Sequence, residues 1–263
     1  RTDRLAAELN CEAGHNAIAL LLRCAPSARS GRSDASMFIR RLVIGIVWNV
    51  LTYGALLFLT AGTFDWWRAW VLVGVIVVMT VMTMLLVFRT RPDLLRERMR
   101  GMVQKGQLMV DRVIVLAFLV TYAGSIAFIA VDVFDLHLLP KPGAWVSSLG
   151  MVLVLAGWLI ISLVFRENAF AAPVVKHQAE RAHHVVDTGV YSVVRHPMYA
   201  GIFICNVGMA LWLESYAGAI AALVLMSLLA LRIVFEERFL REQLDGYRAY
   251  AERVRYRLVP YVW

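Results

Sequence analysis

Residues 67–88 read W-R-A-W-V-L-V-G-V-I-V-V-M-T-V-M-T-M-L-L-V-F, with one charge, Arg68, at the second position. As an α-helix this run rises about 33 Å, enough to cross a hydrocarbon core of roughly 30 Å. It predicts a membrane span. Composition agrees: 60% of the 263 residues are hydrophobic and 17% charged, and the mean hydropathy is +0.65. That is the balance of an integral membrane protein. The formal charge of +8 then belongs to arginines flanking spans, and no nucleic-acid partner is expected. No G-x-G-x-x-G is present, so a dinucleotide fingerprint is excluded. Cys11, Cys24 and Cys205 have neither metal-site spacing nor a disulfide framework.

Further spans lie on both sides. Residues 42–61 form one, joined to 67–88 through Gly62-Thr63-Phe64-Asp65, with Trp66, Trp67 and Trp70 at the interface. Residues 113–131 and 144–165 form two more, separated by a loop holding Asp132, Asp135, Pro140 and Pro142. Arg40 and Arg41 precede the first span, seven basic residues from Arg89 to Arg112 follow the second, and Arg166, Lys176, Arg181 and Arg195 follow the fourth. Loops 62–66 and 132–143 carry only Lys141. The positive-inside rule places the arginine-rich segments in the cytoplasm. Leu94, Leu95, Met99, Met102 and Val103 among the charges of 90–109 predict an interfacial amphipathic helix.

Residues 198–213, Glu214-Ser215 and 216–235 follow. A 16-residue helix reaches only about 24 Å, so these segments predict a helical hairpin entering and leaving on the cytoplasmic side. Gly201, Gly208, Ala217, Gly218 and Ala219 supply its close contacts. Residues 236–257 carry Phe239, Leu240, Leu244, Tyr247, Ala251 and Val254 at helical spacing, interrupted by Gly246. The expected fold is all-α: a polytopic membrane helix bundle of four transmembrane helices, a C-terminal helical hairpin and an amphipathic cytoplasmic tail helix. Residues 1–36, Arg-, Ala- and Ser-rich without a long apolar run, are expected to be a disordered or misassigned leader ahead of a natural start near Met37. Residues 37–166 form the transmembrane region, and 167–263 the catalytic region.

Two polar knots interrupt the apolar chain. Residues 185–201 read V-V-D-T-G-V-Y-S-V-V-R-H-P-M-Y-A-G, and Arg232-x-x-x-Glu236-Glu237 closes the last apolar run. The hairpin returns Tyr199 and Arg232 to one membrane face, so the knots form halves of one site and Tyr199 adjoins Glu236. His183, His184 and His196 are either interfacial histidines or hydrogen-bonding groups for a zwitterionic small molecule. A metal fits poorly, because Arg195 beside His196 repels a cation. Tyr191 and Tyr199 are either membrane-belt aromatics or walls that stack on a heterocycle or face a cation. Gly189 permits a turn and Pro197 starts a helix whose free N–H groups suit a carboxylate. Arg232 and Glu236, four apart, are either an ion pair or working groups at the membrane face. The Glu236-Glu237 pair suits a ribose diol or a sulfonium.

This pattern, His183…Gly189-x-Tyr191-x-x-x-Arg195-His196-Pro197-x-Tyr199-x-Gly201, then Arg232-x-x-x-Glu236-Glu237-x-x-Leu240, Gly246-Tyr247-x-x-Tyr250 and Arg257-Leu258-x-Pro260, resembles the isoprenylcysteine carboxyl methyltransferase and phospholipid methyltransferase families of membrane enzymes. It covers about 166–261. The resemblance implies S-adenosylmethionine as cofactor, held by Lys176, His183, Val186, Tyr191, His196, Pro197, Met198, Tyr199 and Glu236, with Gly189 and Arg195 in the same motif. Gln178 is the stand-in for a glutamine that eukaryotic prenylcysteine enzymes carry at position 176. Arg232 would face a lipid or lipidated methyl acceptor; an amine acceptor would have to lose a proton, with Glu237 or a histidine as the base. Two rivals are an NADPH-dependent sterol-type reductase, which typically has Asn where Met198 stands, and a non-enzymatic membrane scaffold.

Overall fold

The computed structural model describes residues 28–101, 104, 107, 109–171, 173–174 and 184–263, with side chains from 36 onward. The described residues up to Gly45 fall in one unit and Ile46–Trp263 in a second; the core and the site described below lie within the second. All regular structure among the described residues is helical. Helix α1 runs Ala28–Gly54 and continues as a π-turn to Leu59. Helix α2 covers Trp67–Thr83 with a π-turn to Phe88, α3 Pro92–Arg98, and α4 Met109–Val131 with a π-turn to Leu136. Then come α5, Ala144–Glu167, α6, Pro197–Trp212, α7, Tyr216–Gln243, and α8, Tyr247–Arg253.

Five helices, Ser36–Leu59, Trp67–Phe88, Met109–Leu136, Ala144–Glu167 and Tyr216–Gln243, are long and apolar enough to cross a bilayer. The fifth is the second arm of the hairpin. Trp48, Leu59, Val120 and Trp145 turn 70–90% of their surface outward, an apolar exterior that hydrocarbon satisfies and water does not. Inside, Leu57, Leu72, Ile126, Ile129, Val154 and Met209 draw α1, α2, α4, α5 and α6 into one core.

Glycines decide how closely α5 and α6 approach. A Cβ on Gly150 would lie 2.4 Å from the Trp212 backbone nitrogen, and one on Gly157 would lie 2.6 Å from the Gly201 carbonyl oxygen. The pairs Gly150–Gly208 and Gly157–Gly201 match at seven-residue steps on antiparallel helices, so the backbones touch. At the hairpin tip, Ser215 Oγ accepts from the Gly218 N–H at 2.7 Å and donates to Asp132 Oδ2 at 2.6 Å. Glu214, an awkward residue for a membrane segment, pairs with Arg68 at 3.1 Å. Arg68 in turn lies over the rings of Trp67 and Trp212. The tip therefore reaches the ends of α2 and α4 remote from the arginine-rich loop 89–112.

Two segments differ from expectation in extent. The amphipathic helix expected over 90–109 is the short α3, which buries Leu94 and Leu95 and ends at Arg98; Met102, Val103 and Lys105 lie outside the described residues. The tail is not one helix over 236–257. Leu244 is extended and Gly246 has φ +81°, so α7 stops and α8 turns back. The turn collects Leu244, Tyr247, Tyr250 and Val254 into a small apolar cluster.

Candidate functional site

Segment 185–201 threads the cytoplasm-predicted end of the helices without a long element of its own. A 3₁₀ turn at Gly189–Ser192 brings the chain against α5. Gly189 has φ +54°, and a Cβ there would lie 2.7 Å from Glu167 Cδ, so glycine shapes the turn. The Tyr191 hydroxyl accepts from Asn168 Nδ2 at 3.0 Å, and its carbonyl accepts from the Tyr250 hydroxyl at 2.8 Å. The next residues run alongside the C-terminal strap. The N–H groups of Arg195 and His196 donate to the carbonyls of Tyr256 and Arg257 at 3.0 and 2.9 Å. Pro197 is the first residue of α6, where its missing N–H costs nothing.

Arg195 is buried and bound through Nη1 and Nε. Its Nη1 donates to the carbonyls of Ala251, Val254 and Arg255, and its Nε donates to Glu237 Oε1 at 2.6 Å. Glu237 is the hub of this arrangement. Arg257 Nε reaches its other oxygen at 3.1 Å, His196 Nε2 stands 3.3 Å from Oε1, and Arg241 lies 3.6 Å away at the rim. With its side chain 4% exposed, Glu237 points into the anchor that fastens the Arg-His-Pro segment to α7 and the strap. It is not among the cavity-lining residues.

Glu236, its neighbour, faces a cavity. Val186, Tyr191, Arg195, His196, Met198, Tyr199 and Glu236 share its wall with Asn168, Phe170, His184, Leu240, Tyr247 and Tyr250. The Tyr199 hydroxyl donates to Glu236 Oε2 at 2.5 Å, and the His196 ring stacks on Tyr199 at 5.7 Å. The Tyr247 hydroxyl is buried without a hydrogen-bond partner among the described residues, a costly state unless a ligand completes it. Burial pushes the phenols of Tyr191, Tyr247 and Tyr250 well above their ordinary range, so all three are donors at neutral pH. Lys176, Gln178 and His183 lie outside the described residues.

Arg232 stands behind this wall, with its guanidinium carbon 5.7 Å from the Tyr199 ring centre. Nη2 donates to the Pro173 carbonyl at 2.7 Å and lies 3.4 Å from Asp111 Oδ1, while Nε is buried and unpartnered among the described residues. Arg98, held over the Phe165 ring, is a second cation nearby; burial first, and the Arg232 charge second, lower it to about 10. Beyond Tyr199 lies a second cavity of about 420 Å³ among α1, α2, α4, α5 and α6, lined mainly by apolar side chains such as Ile76, Phe118, Trp158 and Ile202. Phe118, Tyr122 and Ile202 line it and also pack on the cluster around Tyr199. The Tyr199 ring thus lines the polar, aromatic cavity, lies against Arg232, and packs with side chains that also line the apolar cavity.

The reading of the residues missed Asp111, whose signal was a carboxylate at the mouth of a span. It also left Tyr247 and Tyr250 in a motif without a place in the site. Both enter the wall only because α8 turns back.

Residues 145–245 match the family model described as phospholipid methyltransferase. Among curated proteins, the chain is 31% identical over 153 residues to protein-S-isoprenylcysteine O-methyltransferase B of Arabidopsis thaliana, covering 57% of this chain and 75% of that protein. Form A from the same plant is 34% identical over 114 residues, 42% of this chain and 57% of the relative. The Schizosaccharomyces pombe protein-S-isoprenylcysteine O-methyltransferase is 31% identical over 110 residues, 41% of this chain and 46% of the relative.

Proposed function

Because this chain belongs to the protein-S-isoprenylcysteine O-methyltransferase family, and so is a methyltransferase of the membrane, we propose that it methylates the carboxylate of an isoprenylcysteine-type lipid acceptor. In this reading S-adenosylmethionine is the donor and the reaction runs at the cytoplasmic face. The observation that carries the reading is that Tyr199 joins Glu236 and an aromatic cavity to a buried Arg232, while Phe118, Tyr122 and Ile202 link the cluster around it to an apolar chamber.

The residues present suit the donor. Glu236 offers a carboxylate to a sulfonium. The rings of Tyr191, Tyr247, Phe170 and His184 offer faces and edges to a purine. The orphaned Tyr247 hydroxyl offers a donor to a ribose or base acceptor, and His196 at the start of α6 suits the amino-acid carboxylate. When bound, the cofactor would supply an electrophilic methyl on a sulfonium leaving group, which an ionised acceptor carboxylate can take without losing a proton.

The chain supplies alignment. Arg232 orients one acceptor oxygen. Tyr199, held by Glu236, joins the cavity proposed for the donor to Arg232. The apolar chamber takes the acceptor's hydrocarbon chain, and Glu237 neutralises Arg195 without acting as a base. The arginine-rich loops support a cytoplasmic site, where a soluble donor meets a lipid-embedded acceptor.

The test is purified protein with methyl-labelled donor and N-acetyl-S-prenylcysteine. Expected is base-labile label on the acceptor and a rate flat over roughly pH 6–8, since an α-carboxyl titrates near 3.5. Base-stable label on an aminophospholipid, with a rate climbing with pH, would replace this reading with an N-methyltransferase. Tight NADPH binding without donor binding would replace it with a reductase.

A further inference from the structure

Arg232 is held in a way that invites exchange. A committed arginine–carboxylate contact lies at roughly 2.7–2.9 Å and is frequently bidentate. The Arg232 Nη2–Asp111 Oδ1 separation is 3.4 Å. The guanidinium keeps a second donor, Nε, buried and unpartnered among the described residues. Two side chains more than nine-tenths buried, Arg232 at 7% and Asp111 at 4% exposure, therefore face each other in a loose pair.

Asp111 has other support. Gln107 Nε2 donates to Oδ2 at 2.8 Å, and the residue sits in the first turn of α4, where exposed N–H groups favour an anion. Its charge is thus stabilised from two directions that do not involve Arg232. Arg232, in turn, is surrounded by Arg98 and Glu236 as well as Asp111, and Glu236 is engaged by the Tyr199 hydroxyl. Glu236 lines the cavity proposed for the cofactor, and Asp111 is not among its lining residues.

We propose that Asp111 is the exchangeable counter-ion of Arg232. It neutralises the guanidinium while the acceptor site is empty and yields it to the acceptor's carboxylate. It recovers the guanidinium once methylation has turned that carboxylate into a neutral ester. The role rests on the carboxylate-acceptor reading above and makes Asp111 a positioning residue, since it works through Arg232. It also gives the site a preference for acid over ester: only the acid competes for the guanidinium, and the returning aspartate leaves the ester without a partner.

The experiment is equilibrium binding of N-acetyl-S-farnesylcysteine and of its methyl ester to detergent-solubilised full-length chain saturated with S-adenosylhomocysteine. Asp111→Asn removes the competitor and keeps the shape and the contact with Gln107. Acid affinity should rise about tenfold, with ester affinity and S-adenosylhomocysteine binding unchanged. Gln107→Met should act in the opposite direction, releasing Asp111 onto Arg232 and weakening acid binding while sparing the ester; it keeps the proposal testable if the aspartate variant does not fold. Weaker acid binding in Asp111→Asn, or an equal change for acid and ester, would overturn the counter-ion role alone. Wild-type protein that binds S-adenosylhomocysteine but not the acid would overturn the acceptor reading, and this role with it.

Discussion

Glu237→Ala separates an anchor from a base. The carboxylate is 4% exposed and faces Arg195 at 2.6 Å, Arg257 at 3.1 Å and His196 at 3.3 Å, with Arg241 at 3.6 Å. Arg241 is nearly half exposed, and such a rim pair contributes under about 1 kcal/mol. Stranding the buried Arg195 is the larger effect: removing one partner of a buried pair costs roughly 3–5 kcal/mol. Arg195 keeps three carbonyl acceptors, which points to the lower end. At about 2–4 °C per kcal/mol for a chain of this size, a loss near 3 kcal/mol lowers the melting temperature by roughly 6–12 °C. Glu237→Gln retains an acceptor for Arg195 Nε and should lose about half of that. The assay is thermal unfolding in detergent followed by tryptophan fluorescence, paired with calorimetry of S-adenosylhomocysteine, whose site loses its framing when the Arg-His-Pro segment loosens. Unchanged melting with a rate loss of about 10²–10⁴-fold that deepens as pH falls would refute the anchor and make Glu237 a general base.

Tyr247→Phe deletes a buried hydroxyl that has no partner among the described residues, so melting should hold or rise while cofactor affinity drops about tenfold, corresponding to one lost hydrogen bond of roughly 1–1.5 kcal/mol; calorimetry and a melt on the same sample read both. Gly157→Val places side-chain atoms where a Cβ alone lies 2.6 Å from the Gly201 carbonyl, and should cost on the order of 1–3 kcal/mol or more of stability, read by unfolding in detergent. Arg232→Ala should abolish methyl transfer and leave S-adenosylhomocysteine affinity within about twofold, because Arg232 is not among the residues lining the cavity proposed for the cofactor; collapse of cofactor binding instead would reverse the proposed assignment.

Reading the residues alone located the spans, because a bilayer imposes a length that an apolar run either meets or fails. It also indicated that Tyr199 and Glu236 share a site, because a helical hairpin must return its ends to one face; the structure joins them by a 2.5 Å hydrogen bond. What it left open was the division of labour between Glu236 and Glu237. Adjacent helical residues point roughly 100° apart, and only the packing of α7 against α6 and the strap decides which faces the cavity and which the buried arginine. Asp111 is invisible as a partner of Arg232 for the same reason: the two are far apart in the chain, and no local periodicity records that α4 and α7 meet. Gly201 reads as part of a chemical motif, yet its structural work is to let α6 touch α5 at Gly157. Span length and membrane face follow from solvent and chain geometry, which every residue carries with it. Roles within the site follow from contacts between helices, which exist only after they have packed.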